Sequence, residues 1–123
     1  MVEMKFDQSK FNEQRKLWQN SNVLKYKYQY KRFEGTGEDA YEEKITAENG
    51  KDSSVLTIDN IYDDVEIMVK ENNKYINLVK ISIEYDEENH IPTRIKCYFN
   101  NDHRTSLINR TLCYIISDFE ILA

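Results

Sequence analysis

Hydrophobic positions along this chain recur with two different periods, and each change of period marks a structural element. Across 7–20, Phe11, Leu17 and Trp18 fall at helical spacing, and Asp7 or Ser9 can accept hydrogen bonds from the first free amides. A helix is predicted there. Across 23–33 the period becomes two: Leu24, Tyr26, Tyr28 and Tyr30 share one face, and Lys25, Lys27, Gln29 and Lys31 the other. After the polar stretch 34–39, Tyr41, Glu43, Ile45 and Ala47 alternate with Glu42, Lys44, Thr46 and Glu48 up to the turn signal Asn49-Gly50. The two runs predict a hairpin with Lys31 opposite Glu42 and Lys25 opposite Glu48. A short further strand is expected at 53–56.

Helical spacing returns over 57–72, where Ile58, Ile61, Val65, Met68 and Val69 line one side and Asp63, Asp64, Glu66 and Lys70 the other. Thr57 or Asp59 is the expected cap, and Asn72-Asn73 the expected stop. Val79, Ile81, Ile83 and Tyr85 then predict a strand, 86–92 a loop, Thr93, Ile95, Cys97 and Phe99 another strand, and 112–122 a last one. The order α-β-β-(β)-α-β-β-β indicates an α+β fold: a curved antiparallel sheet of five to six strands with both helices on one face. Neither helix has an apolar stripe wide enough to stand alone in water. Leu17 and Trp18 are therefore expected to meet Ile61, Val65 and Met68 over the sheet.

A length of 123 residues suits one domain, 1–123, without room for a second core. With 32% charged and 40% hydrophobic residues, three Gly and one Pro, the chain is neither disordered nor collagen-like. The net charge of -5 repels phosphate backbones and anionic lipid, so neither nucleic acid nor a membrane surface is the expected partner. No apolar run approaches the ~20 residues of a membrane span, and Met1-Val-Glu-Met-Lys-Phe6 lacks the apolar core of a signal peptide. As written the chain is expected in the cytoplasm; with a removed leader it would be extracytoplasmic.

Several spacings form an ordered set: Leu17-Trp18, Lys25-Tyr26-Lys27-Tyr28, Asn49-Gly50, Thr57-Ile58, Tyr85-Asp86 with Pro92 six residues beyond the Asp, Ile95, and Ile116-Ser117-Asp118-Phe119. In this the chain resembles a bacterial domain family of unknown function, whose pattern runs Trp, Asn-Tyr-x-Tyr, Asn-Gly and Tyr-Asp-x5-Pro-x2-Ile. The resemblance covers most of the chain. It implies a small domain of the kind often secreted or attached to a lipoprotein, and it carries over no catalytic residue.

Candidate chemistry is sparse. Asp86, Glu87, Glu88, Asn89 and His90 offer oxygen ligands and an imidazole in one loop, but the turn glycine and alternation of a calcium loop are missing. A solvated hairpin tip with Asp86 capping the turn is the expected state. In Glu34-Gly-Thr-Gly-Glu-Asp39 three carboxylates oppose a phosphate cradle. Asp102, His103 and Ser106 are too close in sequence to form an acyl-transfer triad. Cys97 and Cys113, with no CxxC and no metal-ligand spacing, are expected as two buried thiols near the inner face, a disulfide being the alternative. Neither metal nor cofactor is implied.

The nine tyrosines either pack under the helices or line a groove. The expectation is a non-catalytic binding or interaction domain whose partner is a protein or a small ligand, with Tyr98 as aromatic anchor and Lys25 and Lys27 on the same outer face. Two alternatives stand beside it: an inhibitor or immunity-type protein that captures an enzyme, and a cone-shaped domain with a ligand pocket or active site between helices and sheet.

Overall fold

In a computed structural model, residues 5–35, 40–47, 56–75, 77–100 and 110–122 are described. Two helices, α1 (Gln8–Asn20) and α2 (Ile58–Tyr75), and five strands, β1 (Tyr26–Glu34), β2 (Tyr41–Ala47), β3 (Leu78–Asp86), β4 (Ile91–Phe99) and β5 (Arg110–Ile121), follow in the order α-β-β-α-β-β-β. The strands form one antiparallel sheet in the order β2-β1-β5-β4-β3. The fold is α+β.

The topology follows from one crossover. β2 and β3 occupy opposite edges, so the segment holding α2 must traverse the sheet between them. Eighteen helical residues reach about 27 Å, which exceeds the ~19 Å across four strand spacings. From β3 the chain returns by two hairpin steps, and β5 closes against β1 in the middle. The free edge of β3 is covered at one point by the N-terminal segment. Lys5 donates its N–H to the Val79 carbonyl and accepts from the Ile81 N–H, each at 3.0 Å.

Alternation decides what faces the helices. Tyr26, Tyr28 and Tyr30 of β1, Ile45 and Ala47 of β2, Ile81 of β3, Ile95, Cys97 and Phe99 of β4 and Ile116 of β5 are buried with Phe11 and Trp18 of α1 and Ile58, Ile61, Tyr62 and Val65 of α2. Both helices thus share one face. Lys31 pairs with Glu42 in the ladder, as the alternation predicts; the Lys25 to Glu48 pair lies outside the described residues. Asp7 caps α1 by accepting from the Lys10 N–H at 3.0 Å. Thr57, itself buried, caps α2 by accepting from the Asn60 N–H at 3.1 Å.

Several expectations need correction. Leu17 is 38% exposed, because α1 turns Trp18 and not its neighbour into the core. Leu24 precedes β1 and is also exposed. Helix α2 runs through Asn72-Asn73 to Tyr75, since two weak helix formers do not stop a helix already propagated through four turns. Ile91 and Pro92 belong to β4, and Pro92 pairs with Tyr85 where the register shifts, the irregular setting in which a sheet tolerates proline. The strand expected at 53–56 falls almost wholly outside the described residues.

A bulge in β5 breaks simple alternation. Lys27 pairs with Glu120 but Gln29 with Ser117, so β5 carries one extra residue, and Asp118 absorbs it at φ 55°. The insertion returns Phe119 to the helix side, where its ring lies 6.1 Å from Trp18 and 5.5 Å from Tyr26. No helix among the described residues is long and apolar enough to cross a membrane.

Candidate functional site

The aromatic residues of β1 do different work at the start and in the middle of the strand. At the start, the Tyr26 hydroxyl accepts the Ile58 N–H at 2.8 Å, Tyr28 donates its hydroxyl to the Leu56 carbonyl, and Trp18 donates its indole N–H to Asp59 at 3.1 Å. Two phenols of β1 and the indole of α1 thereby hold the start of α2 to the sheet and to the first helix. At mid-strand, Tyr30 is buried but has no such bond to α2 among the described residues. Here helix and sheet leave a space between them.

That space is a cavity of about 270 Å³. Its helix wall is Ile61, Val65, Ile67 and Met68, its sheet wall Tyr30, Ile95, Tyr114 and Ile116, and Leu56 closes one side. Asp64 is its one charged lining group among the described residues. Such a composition, an apolar body with a few convergent polar atoms, is that of small-molecule sites, and the volume lies near their lower bound of ~300 Å³. The Tyr30 and Tyr114 rings lie 6.3 Å apart at 32°, and Tyr41 meets Tyr30 edge-on at 6.3 Å. Arg32, next inward on β1 and paired with both Tyr41 and Tyr114, holds its guanidinium 5.7 Å over the Tyr41 ring. It has no carboxylate partner among the described residues.

The electrostatics follow from those walls. Loss of hydration, helped by the neighbouring charge of Asp63, raises the Asp64 carboxyl above the ordinary aspartate range. Burial pushes the Tyr114 phenol up to about 12 and raises Tyr30 as well, and the charge of Asp64 adds to both shifts. The phenols therefore stay protonated at neutral pH and can donate hydrogen bonds. Helical spacing alone assigns Asp64 to the polar side of α2. Its spacing of three from Ile61 and four to Met68 places it on the border of the apolar stripe, the one sequence signal for its position at this cavity.

The three residues expected on one binding face do not form one. Tyr98 and Lys27 both point away from the helices, but Tyr98 pairs with Thr111 and Lys27 with Glu120 near opposite ends of β5. They are about 25 to 30 Å apart. Lys27 is ion-paired to Glu120 at 3.3 Å, and Lys25 lies before β1, where its carbonyl accepts the Leu122 N–H at 2.9 Å. Tyr98 instead stands among lysines, with Lys80 and Lys96 at 5.5 and 5.4 Å from its ring.

The other candidate residues are occupied structurally. Asp86 accepts from the Glu88 N–H at 2.9 Å and from the Asn89 side-chain amide at 3.0 Å, so it caps the hairpin turn. His90 sits at φ 61°, its carbonyl accepting from the Tyr62 hydroxyl at 2.7 Å and its ring nitrogen 3.1 Å from the buried Gln14. The hairpin tip is thus bolted to both helices. Among the described residues, no group of three His, Cys, Asp or Glu side chains is placed to hold a metal ion. Both cysteines are free and buried. Cys97 faces the helices, whereas Cys113 pairs with Lys96 and so faces outward, against expectation. Burial pushes the Cys97 thiol up to about 12 and raises Cys113 too, which removes both from thiolate chemistry at neutral pH. His103 lies outside the described residues.

The chain matches no protein-family model, and no curated protein and no solved structure matches it.

Proposed function

We propose that this chain is a non-catalytic ligand-binding domain that holds a small, mainly apolar molecule between α2 and the sheet. The observation that carries the reading is the cavity of about 270 Å³, walled by aliphatic and tyrosine side chains with a single carboxylate among the described residues. The ligand presents a hydrogen-bond donor or amine to Asp64 and an acceptor to the phenols of Tyr30 and Tyr114, while its body fills the space against Ile61, Val65 and Ile95. Binding rather than catalysis is favoured by the state of the reactive groups. The cysteines are buried thiols, and His90 is engaged in the hairpin tip and is not among this cavity's lining residues.

The test is a thermal-shift and NMR titration with benzylamine, benzyl alcohol and benzoate, using wild type and Ile67→Trp. Ile67 lines the cavity yet is half exposed, so a larger ring there blocks the entrance without overpacking the core. A ligand at a hundredfold excess over its Kd stabilises by about 2.7 kcal/mol. The amine and alcohol are expected to raise Tm and shift Tyr114 and Met68 resonances in wild type only. Absence of saturable shifts at those residues with all three probes overturns the reading.

A further inference from the structure

The face of the sheet turned away from the helices carries a feature that a ligand in the cavity does not use. Tyr98 on β4 pairs with Lys80 on β3, Lys96 follows two residues earlier on the same face of β4, and Lys5 bridges Lys80 from the N-terminal segment. Two ammonium groups therefore flank one half-buried phenol, and a third lysine stands beside Lys80. Both Lys80 and Lys96 approach its ring, and none of the three lysines has a carboxylate partner among the described residues. Elsewhere on this face Lys31 pairs with Glu42, Lys27 with Glu120 and Arg94 with Glu84, and Lys44 stands without a second lysine beside an aromatic ring among the described residues. In a chain of net charge -5, a basic cluster around an aromatic with no carboxylate partner among the described residues is a local reversal of sign.

We propose that the Tyr98 cluster docks an extended acidic segment of a protein partner. Lys80 and Lys96 are diagonal neighbours across an antiparallel pair, a separation of about 7 Å. Side chains two apart on an extended peptide have the same spacing, so alternate glutamates or aspartates meet both ammoniums while the side chain between them points away. Tyr98 supplies a rigid ring and a hydroxyl that has no partner among the described residues. A longer polyanion such as nucleic acid fits less well. Leaving the cluster along the face it would meet Glu84 and Glu42, and the net charge of the whole chain opposes it.

The experiment measures fluorescence anisotropy of a labelled glutamate-rich peptide with one central phenylalanine, its glutamine counterpart, and oligothymidylate of equal charge. Proteins compared are wild type, Lys80→Gln/Lys96→Gln, Tyr98→Ala and Lys44→Gln, the last a lysine on the same face but on β2. Circular dichroism checks that each is folded. Wild type is expected to bind the glutamate peptide at ~0.01 M salt and to lose most of the affinity at ~0.15 M. The double lysine variant is expected to bind about tenfold more weakly, Lys44→Gln like wild type, and the glutamine peptide not at all. No binding by wild type, equal binding by the folded double variant, or tighter binding of oligothymidylate than of the glutamate peptide overturns the proposal.

Discussion

Trp18 of α1 and Asp59 of α2 are joined by a 3.1 Å hydrogen bond, donated by the indole to a carboxylate that burial holds above the ordinary aspartate range. The same indole meets Tyr26 edge-on at 5.4 Å and Phe119 at 6.1 Å, so one side chain ties both helices to β1 and β5. Removing it empties the space under α1. Trp18→Ala is expected to cost about 3 to 5 kcal/mol. Trp18→Phe keeps most of the apolar contact but leaves Asp59 without its donor, an expected cost of about 1 to 3 kcal/mol. Asp59→Asn retains an acceptor for the indole and should cost least. Urea titrations of the three variants check this order, and an unchanged midpoint for Trp18→Ala would show that α1 does not share the core.

A second prediction concerns acid unfolding. Arg15 of α1 forks to Asp63 and Glu66 of α2, and Lys70 reaches Glu66 at 2.7 Å. The hydrogen bond from Arg15, then that from Lys70, lowers Glu66 to about 2. Its folded value lies below its unfolded one, so its contribution is present above about pH 4.3 and disappears as pH falls toward 2. Glu66→Gln should flatten the acid limb of a plot of urea midpoint against pH. The variant and wild-type curves should converge near pH 2, and parallel curves across that window would rule the linkage out.

The opposite sign applies to Asp64. Its folded value is raised by loss of hydration first and by Asp63 second, so the ionised form is disfavoured in the fold. Wild type gains stability from this group as pH falls through the raised value, and the gain is complete below the ordinary aspartate value of ~3.9. Asp64→Asn is therefore expected to raise the denaturation midpoint slightly at neutral pH and to lose that advantage in acid. If Asp64 faces a bound amine, the same substitution weakens benzylamine binding while making the protein more stable. Unchanged amine affinity in Asp64→Asn would separate this carboxylate from the site.

Much of the fold is legible in the sequence because period-two alternation has direct geometric consequences. Tyr26, Tyr28 and Tyr30 must share a face, and once they face inward the Lys31 to Glu42 register follows from the hairpin. The Asp118 bulge is harder to read, since one inserted residue leaves composition unchanged and only displaces Phe119 by one place. Leu17 and Trp18 illustrate a second limit. Adjacent helical positions lie about 100° apart, and the sequence does not show which of two large apolar neighbours turns inward. The cavity was legible only as an alternative. A void is the part of a core that side chains fail to fill, so its outline depends on where α2 crosses Tyr30 and Tyr114, not on any local pattern. The distance between Tyr98 and Lys27 is similarly a property of position along β5, and shared alternation reports the face but not the place on it.

The last prediction concerns that bulge. Asp118 holds φ 55°, a left-handed conformation that an aspartate tolerates at a cost and a β-branched residue resists strongly. The extra residue brings Phe119 against Trp18 and Tyr26, so the left-handed turn supports the aromatic cluster that fastens α2. Asp118→Gly removes the steric penalty and should leave stability unchanged or raise it by up to about 1 kcal/mol, a gain limited by the greater freedom of glycine in the unfolded chain. Asp118→Val should cost about 1 to 3 kcal/mol through backbone strain. Because Asp118 is exposed, neither change removes a core contact, and a loss seen with valine but not glycine isolates the backbone as its cause. Urea midpoints read the stability, and the Trp18 indole N–H resonance reads the cluster. Glycine and valine variants of equal stability would mean that β5 can re-register without the left-handed residue, and Phe119 would then lose its place beside Trp18.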